Sequence, residues 1–564
     1  MTVRQKKEME VMLEGFVGWP REFVDKYRQA GYWHGHPLGD IVDDAVKEDP
    51  DRVAISFEGK HITYRELGQK VDRLALHLLD VGHKPMDRLI LQLPNVPETI
   101  YLYFAAVKIG VIPIMTLPAH RQAEIGYFAQ FANATSYAIP KEIRGFDYIK
   151  MAQEIRSQAP SLKHILVLGD GIPAGMISIS RLLEEPIEKR LEAERILKEV
   201  RPNPMWPAVF QLSGGTTGIP KLIPRTHNDY YYNTLRCKEL SGFGRKTSCV
   251  IGIPITHNFS TTSPGFQGVF MAGGKVVIAP SPAPNVVLPL IESERVTAIP
   301  AVPTMIMSYM SDSDLKHYDL SSLELCLVGG SRLLPEVAQE IGPRLGADVQ
   351  QILGMAEGPN FLTRLNDPEE VKFCTQGRSI SPGDEIKIVN GDGKEVPAGE
   401  VGELLVRGPY TIRGYFNFPE HNVVAFTSDG FYKSGDLVRM HPSGNLIVEG
   451  RIKDTINRGG EKISAEEMEN HILAHPKLLN CAYVAMPDPL LGEKPCLFAV
   501  AKSGETFSLK ELNDFLVYER KIAKYKLPER LELLDQLPLT HVGKVNKKEL
   551  RRIIAERIKE EEKI

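Results

Sequence analysis

The sequence predicts an α/β protein whose large N-terminal part holds two mainly parallel sheets covered by helices. Amphipathic stretches such as "TYRELGQKVDRLALHLLDVG" alternate with short apolar runs, "DRLILQLP", "HILVLG" and "KVVIAP", each closed by Gly or Pro. Such alternation is typical of parallel sheets covered by helices. A second cycle, "VTAIPAVP", "LELCLVGG" and "ADVQQILG", extends the pattern to about residue 355.

The pattern changes after residue 383, where "DEIKIVNGDGKEVPAGEVGELLVRG" and "GNLIVEGR" indicate strand pairs with Gly-rich turns. We expect these strands to form a small β subdomain that completes an N-terminal domain of residues 1–452. "SAEEMENHILAHP" then begins a helix at Ser464, with Glu467 placed as in a capping box. Residues 453–564 are predicted to form a small α+β C-terminal domain that moves on a hinge.

Composition excludes several classes of protein. The chain is 43% hydrophobic and 25% charged, which is ordinary for a globular protein. Its length of 564 residues exceeds what a single hydrophobic core usually holds, so two or more domains are expected. A net charge of −4 gives no overall electrostatic footprint for nucleic acid. The six cysteines contain no C-x-x-C pair, so neither a zinc site nor a disulfide framework is indicated.

The sequence predicts a cytoplasmic protein without a membrane partner. The N-terminal "MTVRQKKEMEVMLEGF" is charged and lacks the apolar region of a signal peptide. The longest apolar stretch, "TIYLYFAAVKIGVIPIMTLP", is interrupted by Lys108, Gly110 and Pro113. It therefore predicts a helix followed by a strand rather than a membrane span.

A stretch rich in glycine and threonine, "LSGGTTGIPKLIPRTH" from Leu212 to His227, indicates a phosphate-binding loop. Glycines and short hydroxyls leave backbone N–H groups exposed to phosphate oxygens, and Lys221 adds a positive charge. The stretch is not a Walker A loop, because its lysine follows Ile219-Pro220 and no Ser or Thr comes next. A surface turn of the same composition is the alternative for this stretch taken alone.

Five motifs in order give the chain a resemblance to a known superfamily. The loop "SGGTTGIPK" is followed by "GMAEG", "YKSGDLV", "GRIKDTINRGGEKI" and "GKVNKKEL". In this order and spacing the motifs resemble the adenylate-forming superfamily of acyl- and aryl-CoA synthetases, peptide-synthetase adenylation domains and luciferases. The resemblance spans nearly the full length, and it implies activation of a carboxylic acid by ATP and Mg²⁺ with release of pyrophosphate. Such an enzyme needs no general base, because a carboxylic acid is already ionised at pH 7.

The resemblance implies which residues bind ATP. Glu357 in "GMAEG" matches the acid that holds Mg²⁺, a hard cation that takes carboxylate and phosphate oxygens. Asp436 matches the acid that accepts hydrogen bonds from both ribose hydroxyls, with a turn residue as the alternative, and Arg451 matches the second ribose contact. The full ATP-binding set that the resemblance implies is Ser213, Gly214, Gly215, Thr216, Thr217, Gly218, Lys221, Gly330, Glu357, Asp436 and Arg451.

Residues near the C-terminus are implied to serve both half-reactions. Lys544 in "THVGKVNKKEL" matches the catalytic lysine, whose ammonium would bridge the carboxylate and the α-phosphate; a solvated surface lysine is the alternative. In the superfamily the small domain swings about one residue of the "GRxKD" segment, here Lys453, to admit a thiol. Gly459 and Gly460 would then let a pantetheine arm pass close to the backbone, with an ordinary linker as the alternative.

Longer stretches resemble one branch, the bacterial aryl-acid AMP ligases of siderophore assembly, and especially the 2,3-dihydroxybenzoate ligases. They include "LPAHRQAEI", "SGGTTGIPKLIPRTHNDY" and "GRSISPGDE". The resemblance implies that "PITHNFSTTSPG" builds the acid pocket. His257 would lie near the carboxylate as a gate between the half-reactions, Asn258 would bind the ring 2-hydroxyl, and Ser263 the 3-hydroxyl. Asn258 could instead cap a turn. The implied substrate-binding set is His257, Asn258, Ser263, Gly329 and Asn360, and the implied catalytic pair is His257 and Lys544.

Three residues depart from the branch. Pro359 and Asn360 replace pocket-wall residues that are apolar in the relatives. An extra polar group there could favour another acid, such as 3-hydroxypicolinate, salicylate or a substituted benzoate. Leu353 stands where an aromatic commonly stacks on adenine, which should weaken base stacking without removing ATP binding.

The implied partners are an aryl carboxylic acid and the phosphopantetheine thiol of an aryl carrier protein. An aryl-CoA ligase shares every motif and is the enzymatic alternative. A binding protein that senses the nucleotide without turnover is disfavoured by the retained Glu357, Asp436, Arg451 and Lys544.

Overall fold

The structure, a computed structural model, describes residues 13–213, 221–458, 461–520, 522–540 and 543–561. Contacts divide the chain into two compact units. The first unit comprises Met1–Phe373, Gly377–Glu385 and Val406–Tyr432, and the second comprises Cys374–Gln376, Ile386–Leu405 and Lys433–Ile564. The domain boundary between residues 452 and 453 and the hinge at Lys453 stay predictions.

Helices and strands alternate along the first unit, as the sequence predicts. The helices up to residue 374 are α1 Arg21–Gln29, α2 Asp40–Glu48, α3 Tyr64–Asp80, α4 Pro97–Lys108, α5 Gln122–Phe131, α6 Tyr148–Gln158, α7 Ile179–Glu184, α8 Ala193–Glu199, α9 His227–Leu240, α10 Asn258–Thr262, α11 Gly265–Met271, α12 Pro284–Ser293, α13 Pro303–Met310, α14 Pro335–Leu345 and α15 Glu369–Cys374. The strands are β1 Val53–Phe57, β2 Lys60–Thr63, β3 Arg88–Leu91, β4 Ile112–Met115, β5 Ser136–Pro140, β6 Glu142–Ile143, β7 Phe146–Asp147, β8 His164–Leu168, β9 Ile177–Ser178, β10 Pro207–Leu212, β11 Leu222–Thr226, β12 Ser248–Ile251, β13 Lys275–Ile278, β14 Ala298–Ala301, β15 Leu325–Gly329, β16 Asp348–Gly354, β17 Asn360–Leu362 and β18 Arg378–Ser379.

Two large sheets organise the first unit. Among the described residues, one sheet has nine strands in the order β18-β17-β16-β15-β14-β12-β13-β1-β2, and the other has seven in the order β11-β10-β4-β3-β5-β8-β9. Pairing is parallel from β1 through β16 in the larger sheet and from β10 through β9 in the smaller. Antiparallel strands occur at the margins, where β2, β17, β18 and β11 are added. The predicted fold class, two mainly parallel sheets covered by helices, is confirmed.

Both faces of each large sheet are buried, which explains why their strands are continuous apolar runs. In β12, Cys249 and Ile251 lie in the largest hydrophobic core, whereas Val250 lies in a second core with α12, α13 and α14. In β3, Leu89 and Leu91 lie in the same largest core, whereas Ile90 lies in a third core with α5 and α6. The largest core therefore fills the space between the two sheets.

A small β sheet and an α+β fold follow. The remaining elements are β19 Glu385–Val389, β20 Gly402–Arg407, α16 Pro419–Ala425, β21 Tyr432–Met440, β22 Leu446–Arg451, β23 Thr455–Arg458, β24 Glu461–Ser464, α17 Ala465–Leu473, β25 Leu478–Asp488, β26 Gly492–Ala501, α18 Leu509–Tyr518, β27 Arg530–Leu533 and α19 Lys547–Glu561. Strands β19-β20-β21-β22 form one sheet, and β24-β23-β26-β25 form another, to which β27 adds beside β26. This confirms the predicted small β subdomain and the small α+β C-terminal fold.

The helix that begins after Ser464 is capped differently from the prediction. Ser464 Oγ accepts a hydrogen bond from the backbone N–H of Glu467 at 3.3 Å, as a capping box requires. The Glu467 carboxylate, however, accepts from Lys526 Nζ at 2.6 Å. The cap therefore satisfies one backbone donor through Ser464, while Glu467 ties α17 to the segment before β27.

Two further observations concern the cysteines and the ability of the helices to span a membrane. All six cysteines are free, and five of them are buried. In the part of the chain that the structure describes, no helix combines the length and apolar character needed to cross a bilayer.

Candidate active site

The glycine- and threonine-rich stretch connects two antiparallel strands, β10 and β11. The backbone N–H of Ser213 donates to the carbonyl of Lys221 at 3.1 Å, and the N–H of Lys221 donates to Ser213 Oγ at 3.1 Å. These bonds hold Ser213 and Lys221, the described residues at the two ends of the stretch, next to each other. Of the predicted phosphate ligands, Gly214, Gly215, Thr216, Thr217 and Gly218 lie outside the described residues.

The structure brings Lys221 and Glu357 to the same tyrosine. Lys221 Nζ lies 5.2 Å from the centre of the Tyr415 ring, and the Tyr415 hydroxyl donates to Glu357 Oε1 at 2.8 Å. Burial lowers the pKa of Lys221, and the negative charge of Glu357 opposes that shift. A cation beside the ring and a carboxylate at the hydroxyl of Tyr415 make an arrangement suited to a phosphate–metal complex.

A buried arginine supports the turn that carries Glu357. Arg225 in β11 forms an ion pair with Asp229 at 2.7 Å, and both side chains are inaccessible to solvent. The guanidinium also donates to the carbonyl of Ala356 at 2.9 Å and to that of Tyr410 at 3.2 Å. Arg225 therefore fixes the backbone directly before Glu357. We did not predict this role, although a charged residue within an otherwise apolar strand was a visible signal.

His257 and Asn258 begin the short helix α10. His257 is its N-cap residue, and its Nδ1 accepts from the N–H of Phe259 at 3.3 Å. The loop before His257 is held by Asn95, whose Nδ2 donates to the carbonyls of Ile253 at 3.1 Å and Ala279 at 3.0 Å. Asn95 Oδ1 accepts from Ile255 N–H at 2.8 Å. A buried asparagine that the sequence did not indicate thus positions the predicted pocket segment.

Helix α9 provides a polar wall beside α10. The Tyr230 hydroxyl donates to Asn258 Oδ1 at 2.8 Å and accepts from Gln211 Nε2 at 2.9 Å. One turn further along the helix, Thr234 Oγ1 is hydrogen-bonded to Thr262 Oγ1. Because Asn258 Oδ1 is used by Tyr230, the amide nitrogen is the part of Asn258 suited to contact a ligand.

Ser263 and Asn360, predicted from separate motifs, are neighbours. Ser263 Oγ donates to Asn360 Oδ1 in a long hydrogen bond of 3.5 Å. Asn360 Nδ2 donates to Asn233 Oδ1 at 3.3 Å and to the carbonyl of Gly358 at 3.1 Å. Asn360, the polar residue that departs from the branch, therefore has a hydrogen-bond partner in Asn233 of α9. The sequence did not indicate Asn233.

Two glycines at the end of β15 stand where another residue would clash or be strained. A Cβ added at Gly329 would lie 3.0 Å from the carbonyl oxygen of Ile352 and 3.5 Å from the Phe259 ring. Gly330 has a φ of +89°, a conformation that side chains disfavour. The close approach of Gly329 to Phe259 places the end of β15 against the predicted acid-pocket segment.

In the second unit, Asp436 and Arg451 are paired across strands β21 and β22. They are register partners, and Arg451 Nε lies 2.6 Å from Asp436 Oδ1. Asp436 is only 2% exposed, and its Oδ2 has no hydrogen-bond partner among the described residues. Burial raises the pKa of Asp436, and the positive charges of Arg451, Lys453 and Lys544 oppose that shift. An unsatisfied buried acceptor is costly, so Oδ2 is suited to receive a donor from a ligand.

Lys544, which precedes α19, is hydrogen-bonded to Thr540. The N–H of Thr540 donates to the carbonyl of Lys544 at 2.6 Å, and the N–H of Lys544 donates to Thr540 Oγ1 at 3.1 Å. Burial lowers the pKa of Lys544 to about 8; the positive charges of Arg451 and Lys453 add to this, and the negative charge of Asp436 opposes it. The structure therefore brings four predicted residues of the second unit into one electrostatic cluster.

Lys453 lies in a 3₁₀ turn, Ile452–Asp454, directly after β22. Burial lowers its pKa, and the positive charge of Arg451 adds to the effect. The neighbouring Asp454 forms an ion pair with Arg551 of α19 at 3.1 Å, which ties the turn to the C-terminal helix. The predicted pantetheine-channel residues Gly459 and Gly460 lie outside the described residues.

A metal site built only from protein ligands is not present in the described part of the chain. No group of three or more His, Cys, Asp or Glu side chains there is arranged to hold an ion. Glu357 alone suits Mg²⁺ that is bound by one carboxylate and by substrate phosphates, which is the usual arrangement at nucleotide sites.

Comparisons with known proteins show the family to which the chain belongs. The AMP-binding enzyme family matches residues 42–416, and the AMP-binding enzyme C-terminal domain matches residues 467–544. The chain is 44% identical to the 2,3-dihydroxybenzoate-AMP ligase of Bacillus subtilis (strain 168), over 97% of this chain and 99% of the relative. It is 45% identical to a salicylyl-CoA synthase / salicylate adenylyltransferase of Streptomyces sp, over 96% of this chain and 98% of the relative.

A solved structure extends the likeness to three dimensions. The apo structure of Mycobacterium smegmatis MbtA has a TM-score of 0.72 and 38% sequence identity, covering 95% of this chain and 98% of MbtA. Family, relatives and fold thus agree over nearly the whole length. The chain belongs to the AMP-binding enzyme family and is an adenylate-forming ligase.

Proposed function

We propose that this enzyme activates an ortho-hydroxylated aryl carboxylic acid as its AMP ester and passes the aryl group to a phosphopantetheine thiol. The first candidate acid is 2,3-dihydroxybenzoate, which is named in the Bacillus subtilis relative. The observation that carries the proposal is a pair of polar contacts at the predicted pocket, the part-buried bond of Tyr230 with Asn258 and the buried bond of Ser263 with Asn360. A pocket with fixed polar groups selects a ring that satisfies them, because an unpaired buried donor or acceptor costs about 1–3 kcal/mol.

The residues fit ATP on two grounds. Asp436 Oδ2 is a buried acceptor without a partner, which suits a ribose hydroxyl, while Arg451 already neutralises Oδ1. Ser213 and Lys221 are hydrogen-bonded to each other at the two ends of a sequence whose glycines and hydroxyls suit phosphate oxygens, and Glu357 would hold Mg²⁺. The metal would supply positive charge to the phosphates, and Lys221 would add to it.

In the first half-reaction a carboxylate oxygen of the acid attacks the α-phosphorus of ATP. The new bond joins that oxygen to phosphorus, and the bond from the α-phosphorus to the bridging oxygen of pyrophosphate breaks, so pyrophosphate leaves with its electron pair. Lys544 would bridge the carboxylate and the α-phosphate as negative charge shifts. Its pKa of about 8 leaves most of the ammonium protonated at pH 7.

In the second half-reaction a thiolate attacks the acyl carbonyl and AMP leaves, so a thioester replaces the mixed anhydride. Lys453 would be the hinge that removes Lys544 from the site, and Gly459 and Gly460 would line the path of the pantetheine arm. His257 would gate the carboxylate side between the two steps. His257 is suited to this role because it caps α10, directly beside Asn258.

Acid-dependent ATP–pyrophosphate exchange tests the proposal. We expect 2,3-dihydroxybenzoate to give the highest kcat/KM, salicylate the next and unsubstituted benzoate a value about 5- to 150-fold lower. If para-substituted or unsubstituted benzoates exceed every ortho-hydroxy acid, the pocket assignment is wrong.

One relative supports a second candidate for the thiol that receives the aryl group. The name of the Streptomyces relative includes a salicylyl-CoA synthase activity, so coenzyme A is the alternative thiol. Loading of a purified phosphopantetheinylated aryl carrier protein should be compared with thioester formation on free coenzyme A. Faster transfer to coenzyme A at equal thiol concentration would assign the enzyme to the aryl-CoA ligases.

A further inference from the structure

Two buried asparagines lie behind the predicted acid pocket. Asn233 belongs to α9, and Asn360 belongs to β17. Asn233 is one helical turn from Tyr230, so the same face of α9 supports both Asn258 and, through Asn360, Ser263. The following inference rests on the proposed function, because it concerns which acids this pocket accepts.

The orientation of the Asn360 amide follows from its partners. Its Nδ2 lies 3.1 Å from the carbonyl oxygen of Gly358, an atom that can only accept a hydrogen bond. The atom facing Gly358 must therefore be the NH₂ group. The second hydrogen of that group is donated to Asn233 Oδ1 at 3.3 Å. Both donor hydrogens of Asn360 are thus used by the protein and do not face a ligand.

The remaining atom, Asn360 Oδ1, faces Ser263. Ser263 Oγ donates its only proton to this oxygen at 3.5 Å. Ser263 is 3% exposed and Asn360 is 1% exposed, so water does not compete for these groups. A serine hydroxyl that donates its proton to the protein offers a ligand only its lone pairs.

Packing against a glycine leaves room for this arrangement. Gly354 in β16 is the register partner of Asn360, and a Cβ built on Gly354 would lie 2.5 Å from Asn360 Oδ1. The carbonyl of Asn360 therefore occupies space that any side chain at position 354 would fill. The amide is held by Gly354 on one side and by Asn233 on the other.

We infer that Asn360, oriented by Asn233, makes Ser263 a hydrogen-bond acceptor, so that the enzyme prefers ortho-hydroxy aryl acids with a donor group at ring position 3. The preferred substituents are hydroxyl and amino groups. Disfavoured substituents are those of similar size that cannot donate, such as fluorine or methyl. Asn360 and Asn233 are positioning residues in this proposal, since Ser263 is the group assigned to contact the ring.

The test compares salicylates that differ only at position 3. The wild-type kcat/KM in pyrophosphate exchange is expected to be about tenfold higher for the 3-hydroxy and 3-amino acids than for the 3-fluoro and 3-methyl acids. Asn360→Leu has nearly the same shape as asparagine but no acceptor, which frees the Ser263 proton to donate. This variant should bring the ratio of 3-amino to 3-fluoro acid close to one.

A double variant tests whether Asn360 acts through Ser263. Ser263→Ala should remove the donor preference, and adding Asn360→Leu should then change the ratio no further. Asn228→Leu is the matched control, because Asn228 is another buried asparagine of α9 and its Nδ2 contacts Met205 Sδ instead. The ratio in this control should equal that of the wild type.

Three outcomes overturn the inference: a wild type without donor preference, an unchanged ratio in folded Asn360→Leu, or a further change in the double variant. If Asn360→Leu does not fold, the position-3 preference of the wild type and its loss in Ser263→Ala still test the inference. A wild type that exchanges pyrophosphate with salicylate but ignores the position-3 substituent overturns only the inference. Absence of exchange with every ortho-hydroxy acid overturns the proposed function itself.

Discussion

At the scale of single residues, Lys544 has the most direct predicted role. Its backbone is hydrogen-bonded to Thr540, and its charge lies close enough to Asp436, Arg451 and Lys453 for them to change its pKa. The sequence could indicate the residue only through its place in a series of motifs, because the surrounding charges come from β21, β22 and the turn after β22, which are distant along the chain.

We expect Lys544→Ala to reduce adenylation about 10²- to 10³-fold, which is the usual effect of losing one group that stabilises charge in the transition state. Thioester formation from preformed aryl-AMP should retain most of its rate. Pyrophosphate exchange and single-turnover transfer to the thiol measure the two steps separately. Lys548→Ala, an exposed lysine on α19, is the control. Equal losses in both half-reactions would contradict the assigned role.

The pKa of about 8 for Lys544 predicts a pH dependence. Only the protonated ammonium can bridge two anions, so kcat/KM for adenylation should fall as the pH rises through about 8. Lys544→Arg keeps its charge at higher pH, so in this variant the decline should move to a more alkaline pH even if the rate is lower. In the wild type, kcat should decline at a higher pH than kcat/KM, because bound anionic substrates raise the lysine pKa. Identical profiles for Lys544→Arg and the wild type would contradict this assignment.

At the scale of elements, the apolar runs and amphipathic stretches predicted the strands and helices because each core position is set by local periodicity. Strands β3, β8, β13, β14, β15 and β16 all fall within the runs singled out from the sequence. The polar wall of α9 was not predictable in this way. Tyr230, Asn233 and Thr234 are buried by contacts with α10 and β17, and such contacts are not visible in the spacing of one helix.

The same reasoning separates the site residues that could be predicted from those that could not. Glu357, Asp436 and Lys544 lie in motifs whose order is characteristic. Asn95 and Arg225 donate hydrogen bonds to backbone carbonyls. Every residue has a backbone carbonyl, so no sequence pattern shows which ones these side chains will contact. Their roles therefore follow only from the tertiary structure.

The 3₁₀ turn at Lys453 allows a test of the hinge, which remains a prediction. Proline suits the φ of a 3₁₀ turn, so Lys453→Pro should fix the present backbone and block rotation at this residue. Pyrophosphate exchange should be largely retained, whereas transfer to the carrier thiol should fall about tenfold or more. Lys453→Ala removes the same ammonium but leaves φ free, and is the control. Unaltered transfer in Lys453→Pro would exclude this residue as the hinge.

At the scale of the whole molecule, the first unit depends on a carboxyl buried beside the site. Asp384 accepts hydrogen bonds from Ser379 and Tyr410, and its Oδ1 has no partner among the described residues. The carbonyl of Tyr410 accepts from Arg225 at 3.2 Å, and the turn at Gly358 packs against it. Asp384 therefore stabilises the part of the unit that holds Glu357.

Burial raises the pKa of Asp384 to about 7, and its hydrogen bonds with Ser379 and Tyr410 oppose the shift. A carboxyl whose pKa is higher in the folded than in the unfolded state contributes stability that is complete below about pH 4. This contribution is lost as the pH rises through about 7, and its full size is on the order of 4 kcal/mol. The free energy of unfolding of the first unit should therefore decrease between pH 5 and pH 8.

Asp384→Asn tests this dependence, because the amide keeps an acceptor for Ser379 and Tyr410 but never ionises. All three tryptophans, Trp19, Trp33 and Trp206, belong to the first unit, so their fluorescence during urea unfolding reports on that unit. Trp33 is a close reporter, since its Nε1 donates to the carbonyl of Pro409 at 2.9 Å. The variant should gain stability relative to the wild type as the pH rises from 5 to 8. Asp51→Asn, at an exposed carboxylate paired with Arg65, should show no such trend. A difference between wild type and Asp384→Asn that stays constant across this range would show that the buried carboxyl does not govern the pH dependence of the unit.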